Sequence, residues 1–259
     1  MRTLFALSAA ALLALATHCA HASAEAGWPV YGGDAGGSQY SALADITRDN
    51  VGQLDVAWVY RTGDSSTLRP DAPPGSFLAT PVLHEGTLYF CSGYSRAFAV
   101  DAQTGAERWV FDAAPDMRDG GTAKCRGVAL WHEQREPGAA AAQARACTSR
   151  VFMGTLDGRL AAIDAVTGRA CADFGEDGFV DLRRGMGEID GNALAMTSPP
   201  VVLGDLVVQG AMVRDNERVD SPPGVIRAWD ARSGELRWAF DPVPFRAPTP
   251  QALGAPPDQ

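Results

Sequence analysis

Hydrophobic positions from residue 77 onward fall in short runs, interrupted by Gly, Ser and Asp, and nowhere hold a helical period across ten to fifteen residues. GTLYFCSGYSRAFAVDA (86–102), RVFMGTLDGRLAAIDA (150–165) and DLVVQGAMV…GVIRAWDA (205–231) each read as strands broken by tight turns. After each run comes a related twelve-residue unit: DAQTGAERWVFD (101–112), DAVTGRACADFG (164–175) and DARSGELRWAFD (230–241). The unit predicts a hairpin: a strand ending at Asp101, a turn at Thr104–Gly105 and a second strand carrying Trp109. Gly105 stands where a turn requires positive φ, and the aspartate and threonine side chains can bond turn amides. Trp109 and Trp238 serve as large apolar plugs, a position the second copy leaves without tryptophan. One helix candidate, PGAAAAQARA (137–146), reads as a surface excursion.

A repeat of roughly 60 residues holding about four short strands is the signature of a propeller blade, which buries its faces only by stacking on neighbours. The predicted fold class is therefore all-β, a β-propeller, with blades over about 77–112, 150–175 and 198–241. NVGQLDVAWVYRTGD (50–64) matches only the second half of a unit, with Trp58 in the tryptophan place, and reads as a lone strand that closes a ring. Three blades do not close a ring, since propellers typically use about four to eight. The expectation is the front of a longer propeller, or a truncated gene product, ending in a Pro-rich segment at 242–259.

Charge and targeting narrow the setting. The net charge of −9 opposes binding to nucleic acid or an anionic membrane. Arg2 followed by the apolar run at 4–16 reads as a signal peptide, residues 1–24, cleaved after Ala24, so the mature chain is expected in the periplasm without a transmembrane segment. A lipoprotein reading through Cys19 is disfavoured by His18 before it. Cys91, Cys125, Cys147 and Cys171 remain, an even number that suggests disulfides after export. Three pairings are open; Cys125 with Cys147 is favoured because they flank one polar, Ala-rich stretch, with Cys91 alternatively a buried thiol. No CxxC pair supports zinc. The four histidines, His18, His21, His84 and His132, are expected to form no site, since two leave with the signal and two are far apart in sequence. Hydrolase and nucleotide-binding motifs (G-x-S-x-G, G-x-G-x-x-G, a phosphate loop) do not occur.

Several pieces in order resemble the quinoprotein dehydrogenases that use pyrroloquinoline quinone (PQQ), in the glucose/quinate/shikimate dehydrogenase branch: 28–64, 77–112, CRGVALW (125–131), TSPPVV (197–202) and DN…GVIRAWDARSGELRWAFDP (215–242). The resemblance implies an eight-bladed propeller with PQQ near its axis beside Ca²⁺ or Mg²⁺, oxidising a sugar, cyclic polyol or alcohol. It implies electrons passing to a quinone or cytochrome c, the redox chemistry being the cofactor's. Arg126 matches an arginine on a PQQ carboxylate, Thr197 (or the adjacent Ser198) a hydroxyl near the cofactor, and Arg96 and Tyr94 a first-blade turn facing it. Asp215 and Asn216 match the region of oxygen ligands for the metal. Residue types alone leave each open: Arg126 to a surface ion pair, Thr197 to a polar strand start, Arg96 to a turn arginine, Asp215 and Asn216 to a solvated loop. Tyr94 stands where many relatives carry histidine, which argues against glucose, and Ala211–Met212 where some carry serine. The family's catalytic aspartate and a later cofactor-binding lysine are expected beyond residue 259, so this polypeptide alone is expected to be inactive. The competing reading is a non-catalytic propeller scaffold, or a gene remnant.

Overall fold

Each repeat folds into an antiparallel meander in the computed structural model, which describes residues 27–64, 75–116, 123–134, 145–186, 189, 193–214 and 221–243. After a short strand β1 (Ser76–Phe77), the first sheet runs β2 (Val82–His84), β3 (Thr87–Cys91), β4 (Arg96–Asp101) and β5 (Glu107–Asp112) in sequential order. β6 (Lys124–Cys125) leads into the second sheet, β7 (Ala129–His132), β8 (Ser149–Gly154), β9 (Arg159–Asp164) and β10 (Phe179–Asp181). β11 (Leu194–Ala195) precedes the third sheet, β12 (Val201–Leu203), β13 (Leu206–Gln209), β15 (Ile226–Asp230) and β16 (Leu236–Phe240). Between β13 and β15, β14 (Met212–Val213) pairs with β11, and β1 pairs in parallel with β6. No α-helix occurs among the described residues; the one helical turn is 3-10, Val51–Gln53.

The strands read as expected of sheets covered on both sides. β3, β4, β8 and β9 are buried along nearly their whole length. One core, including Cys91, Ala99, Trp109, Val151, Met153 and Ile163, fills the space between the first and second sheets. Another, including Trp131, Phe152, Leu160, Phe174, Val207 and Trp229, joins the second to the third. Burying a side chain of this size contributes about 1.5–3 kcal/mol each.

The repeated unit sets how neighbouring sheets meet. Asp101 accepts hydrogen bonds from the Gln103 and Thr104 amides and the Thr104 hydroxyl, and Asp164 and Asp230 do the same in their turns. Gly105 and Gly168 follow with φ of 71° and 70°. Onto each of these glycines packs a tryptophan from the preceding segment. A Cβ at Gly105 would lie 2.6 Å from Trp58, and one at Gly168 would lie 2.7 Å from Trp109. The same indoles donate to the carbonyls of Ala102 and Ala165 at 3.2 and 3.0 Å. The third turn has no tryptophan to receive, because the second copy carries Ala172 there. Gly175 instead lies against Gly234, and its amide donates to Ser233 O at 2.9 Å. A bulge recurs between Ala99 and Val100 and between Ala228 and Trp229, bending the outermost strand of the first and third sheets alike.

Several expectations are corrected. The second sheet extends from Ala129 to Asp181, wider than 150–175, because CRGVALW supplies its first strand and the outermost strand is delayed past Cys171. The ring-closing role of 50–64 is not among these corrections: its partner strand is expected further along a longer chain, residues 54–64 pair with no strand among the described residues, and Trp58 docks by its side chain. The disulfides are Cys91–Cys125 and Cys147–Cys171, with Cα separations of 6.0 and 5.8 Å, not Cys125–Cys147. Cys91 ends β3 and Cys125 ends β6, at the same end of adjoining sheets, so Cys91 is no isolated thiol. The Cys147 amide is tied to the Asp164 carboxylate, which sets Cys147 beside the turn that leads to Cys171. Residues 1–24, most of the helix candidate and the segment from 244 onward lie outside the described residues.

Candidate cofactor-binding site

Meander geometry sorts the loops of each sheet to two ends. The turns of the Asp-Thr-Gly unit and the first hairpin turn (His84 to Thr87) share one end. Ser92–Ser95, Thr155–Gly158 and the segments leading into β2, β7 and β12 share the other. At this second end the three lead-in segments are stitched in series. Thr80 N–H donates to Arg126 O at 2.9 Å, and Arg126 N–H donates to Thr197 O at 3.0 Å. The result is a collar of backbone along the inner edge of the three sheets, held by Cys91–Cys125 next to Arg126.

Arg126 and Thr197 meet in this collar. The guanidinium Nη1 donates to Thr197 Oγ1 at 2.8 Å, with Thr197 3% exposed and Arg126 half-buried. Among the described residues no carboxylate pairs with Arg126. A fixed cation with donors to spare suits a planar ligand bearing carboxylates, as PQQ does. Ser198, next in sequence, instead offers its carbonyl to Gln209 Nε2 at 3.3 Å.

The other expected residues lie differently. Arg96 Nη1 donates to Asp64 Oδ1 at 2.6 Å and to Thr62 O at 2.9 Å, and its guanidinium lies 5.0 Å over Phe98. Its charge is therefore balanced within the protein, and it clamps residues 62–64 against the first sheet. Tyr94 is buried among Ala123, Leu156 and Ala195, its hydroxyl accepting the Gly75 amide at 3.1 Å. It packs the end of the first sheet that faces the collar. Asp215 and Asn216 lie outside the described residues.

Two polar groups went unread in the sequence. Asp64 belongs to a segment singled out only for Trp58, and its ion pair with Arg96 depends on how that segment folds back. Gln209 ends β13 at the collar end; its amide donates to Ser198 O and Gly210 O while its buried Oε1 has no partner. No local pattern marks either one. Arg227, buried at the contact of the second and third sheets, donates to the carbonyls of Leu182 and Arg184. Burial pushes its pKa down to about 10, which leaves it charged at neutral pH, and the nearby Asp181 acts in the opposite sense.

Two clefts lie away from Arg126 and Thr197. One of about 790 Å³, lined by Glu176, Asp181, Arg184 and Arg227 among others, opens between the outer strands of the second and third sheets. The other, of about 780 Å³, lies between residues 58–64 and the first sheet, against Phe77, Leu88 and Phe90.

Stacked four-stranded meanders with tryptophan-on-glycine contacts define part of a β-propeller. Residues 28–256 match the family described as PQQ: glucose/ethanol/alcohol dehydrogenase, beta-propeller domain, and the chain belongs to it. It is 38% identical over 232 residues to the quinate/shikimate dehydrogenase (quinone) of Acinetobacter baylyi, covering 85% of this chain and 28% of that protein. It is 36% identical over 224 residues to the quinoprotein glucose dehydrogenase of Escherichia coli, covering 85% and 27%. Among solved structures, the quinohemoprotein alcohol dehydrogenase of Comamonas testosteroni superposes with a TM-score of 0.65 at 29% identity, over 86% of this chain and 28% of that one. The chain thus spans little more than a quarter of the length of these relatives.

Proposed function

We propose that this chain is the opening part of an exported PQQ-dependent dehydrogenase that oxidises a sugar, cyclic polyol or alcohol and passes the electrons to a quinone or cytochrome c. The observation that carries the reading is the Arg126–Thr197 pair in the collar, in a chain of the PQQ propeller family. The names of relatives, for quinate/shikimate, glucose, glycerol and alcohol, support a substrate among polyhydroxylated molecules and alcohols.

Bound PQQ supplies the quinone that accepts two electrons from the hydroxyl-bearing carbon of the substrate. This chain's residues would hold and orient it. Arg126 takes a carboxylate through its free N–H groups, and Thr197 fixes the guanidinium plane. Tyr94 and its apolar neighbours would back the first-sheet end of the collar. A hard divalent ion, Ca²⁺ or Mg²⁺, belongs with the cofactor in this reading, with Asp215 and Asn216 as its oxygen donors. The base that removes the substrate proton belongs to sequence outside these residues, so the 259-residue polypeptide is expected to hold cofactor without turnover.

Two disulfides are consistent with an oxidising compartment such as the periplasm. No helix among the described residues is long and apolar enough to cross a membrane. The test expresses the longest reading frame containing these residues and reconstitutes it with PQQ and Ca²⁺ or Mg²⁺. Dye reduction is then followed with quinate, glycerol, glucose and ethanol. Turnover on at least one substrate, by a periplasmic protein whose N-terminus is Glu25, is the expected result. Inactivity on all four, in protein shown to be folded, overturns the proposal.

A further inference from the structure

Just before β12 stand Pro199 and Pro200, which have no N–H to carry the β12–β13 ladder beyond Val201–Val208 toward the collar. A side chain takes over there. Gln209, the last residue of β13, donates from Nε2 to Ser198 O at 3.3 Å and to Gly210 O at 2.8 Å. The residue is 2% exposed and reaches the end of the second sheet. A Cβ at Gly154, the last residue of β8, would lie 3.3 Å from Gln209 Oε1 and 2.5 Å from Met196 Cβ. The segment held in this way is the one that faces Arg126. Met196 N–H donates to Thr155 O at 3.0 Å on one side of it, and Gln209 grips the Ser198 carbonyl on the other. Between these anchors Thr197 takes Arg126 twice, the backbone N–H on its carbonyl at 3.0 Å and Nη1 on its hydroxyl at 2.8 Å. Gln209 Oε1 is buried without a partner among the described residues. An unsatisfied acceptor costs stability, so what the glutamine contributes is its pair of N–H donors.

We propose that Gln209 is a positioning residue for the cofactor grip: through the Ser198 carbonyl it holds Thr197 where that residue orients the Arg126 guanidinium toward a carboxylate of bound PQQ. This role rests on the reading of Arg126 as a cofactor contact, and adds to it a buried residue that acts at one remove. A guanidinium on a long stem has many rotamers, and binding must order it unless the protein has already done so. The Thr197 hydroxyl can do that only if its own backbone is fixed. With Pro199 and Pro200 following, the next two residues bring no N–H of their own to the task, and Gln209 supplies the missing donor. Because Gln209 belongs to the third sheet and Arg126 leads into the second, the relay through Ser198 and Thr197 also sets how the two sheets meet at the collar.

The test uses the full chain and two readouts. Without cofactor, the Arg126 Nε–H resonance is followed in wild type and in Gln209→Met, which keeps the side-chain length and removes its donors. The expected result is a protected, distinct resonance in wild type that moves to the averaged, fast-exchanging position of exposed arginines in the variant. With PQQ, calorimetric titration should show Gln209→Met weakening binding about 3–10-fold. In an Arg126→Ala background the same substitution should change affinity less than about 2-fold, since no guanidinium is left to orient; a general loosening of the fold would weaken both backgrounds alike. Gln209→Leu serves if the methionine variant does not fold. As a check independent of any variant, the Gln209 side-chain amide should exchange slowly in wild type. An Arg126 resonance unmoved by Gln209→Met, an equal loss of affinity with and without Arg126, or a fast-exchanging Gln209 amide would overturn the proposal. Wild type that binds no PQQ overturns the reading of Arg126 and this role with it, whereas wild type that binds PQQ no more tightly than Gln209→Met overturns this role alone.

Discussion

At the residue scale, one aspartate repeated three times organises the molecule. Asp101, Asp164 and Asp230 each gather the amides and hydroxyl of their own turn, and all three carboxyls are held below the usual carboxylate pKa. For Asp101 the largest cause is the hydrogen bond from Arg108. For Asp164 burial is the largest effect and pushes upward, but bonds from the Cys147, Thr167 and Val166 amides and the Thr167 hydroxyl outweigh it. A carboxyl depressed on folding stabilises the protein above its unfolded pKa, about 3.9, and loses that contribution as pH falls through its folded value. Asp164→Asn should therefore lower stability in urea denaturation at pH 7 by about 1–3 kcal/mol. The difference from wild type should shrink below about pH 4; a difference constant from pH 7 to pH 3 would contradict the assignment. The turn bonds were legible in the sequence because donor and acceptor lie within three residues of each other; those from Arg108 and Cys147 were not, being seven and 17 residues away. The partners of Arg96 and His132 were not, because Asp64 and His84 reach them only through the tertiary fold.

At the scale of elements, the unit of construction is a meander joined to the next by a tryptophan on a glycine. The sequence showed tryptophans as plugs but not what they plug, since Trp109 serves Gly168 in the following repeat rather than its own. The second repeat departs from the pattern in both respects. It carries Ala172 in the tryptophan place and gains a disulfide, Cys147–Cys171, just before the delayed strand β10. The crosslink encloses a sequence separation of 24 residues, for which chain entropy gives roughly 3 kcal/mol. Replacing both cysteines by alanine should lower the unfolding free energy by about that amount, measured against wild type without reductant. A change under about 0.5 kcal/mol would show that the bridge does not constrain the unfolded chain as argued. The pairing could not be read from spacing, because Cys91 and Cys125 sit on different sheets and become neighbours through stacking alone.

At the scale of the whole molecule, three sheets share one inner edge and leave other faces open. Val201, Leu203 and Phe240 of the third sheet are exposed, and Trp238 is less covered than its counterpart Trp109. A further sheet stacked there would bury them, as the second sheet buries the first. The all-β architecture was legible because strand period, turn residues and a repeat of fixed chemistry agreed with one another. How the candidate site residues are placed was legible only in part. Arg126 and Thr197 converge, Arg96 is neutralised by Asp64, and Tyr94 is packed inward. Proximity to a shared axis is a property of stacking, which no single segment encodes. The account rests on Arg126 as the cationic grip on an anionic quinone, and the most direct measurement is calorimetric titration of the chain with PQQ, wild type beside Arg126→Ala and Arg126→Lys. The predicted result is saturable 1:1 binding, weakened about 10–100-fold by Arg126→Ala and restored only in part by lysine, which lacks the planar fork. Absence of PQQ binding in the folded chain, or an affinity indifferent to Arg126→Ala, would contradict it.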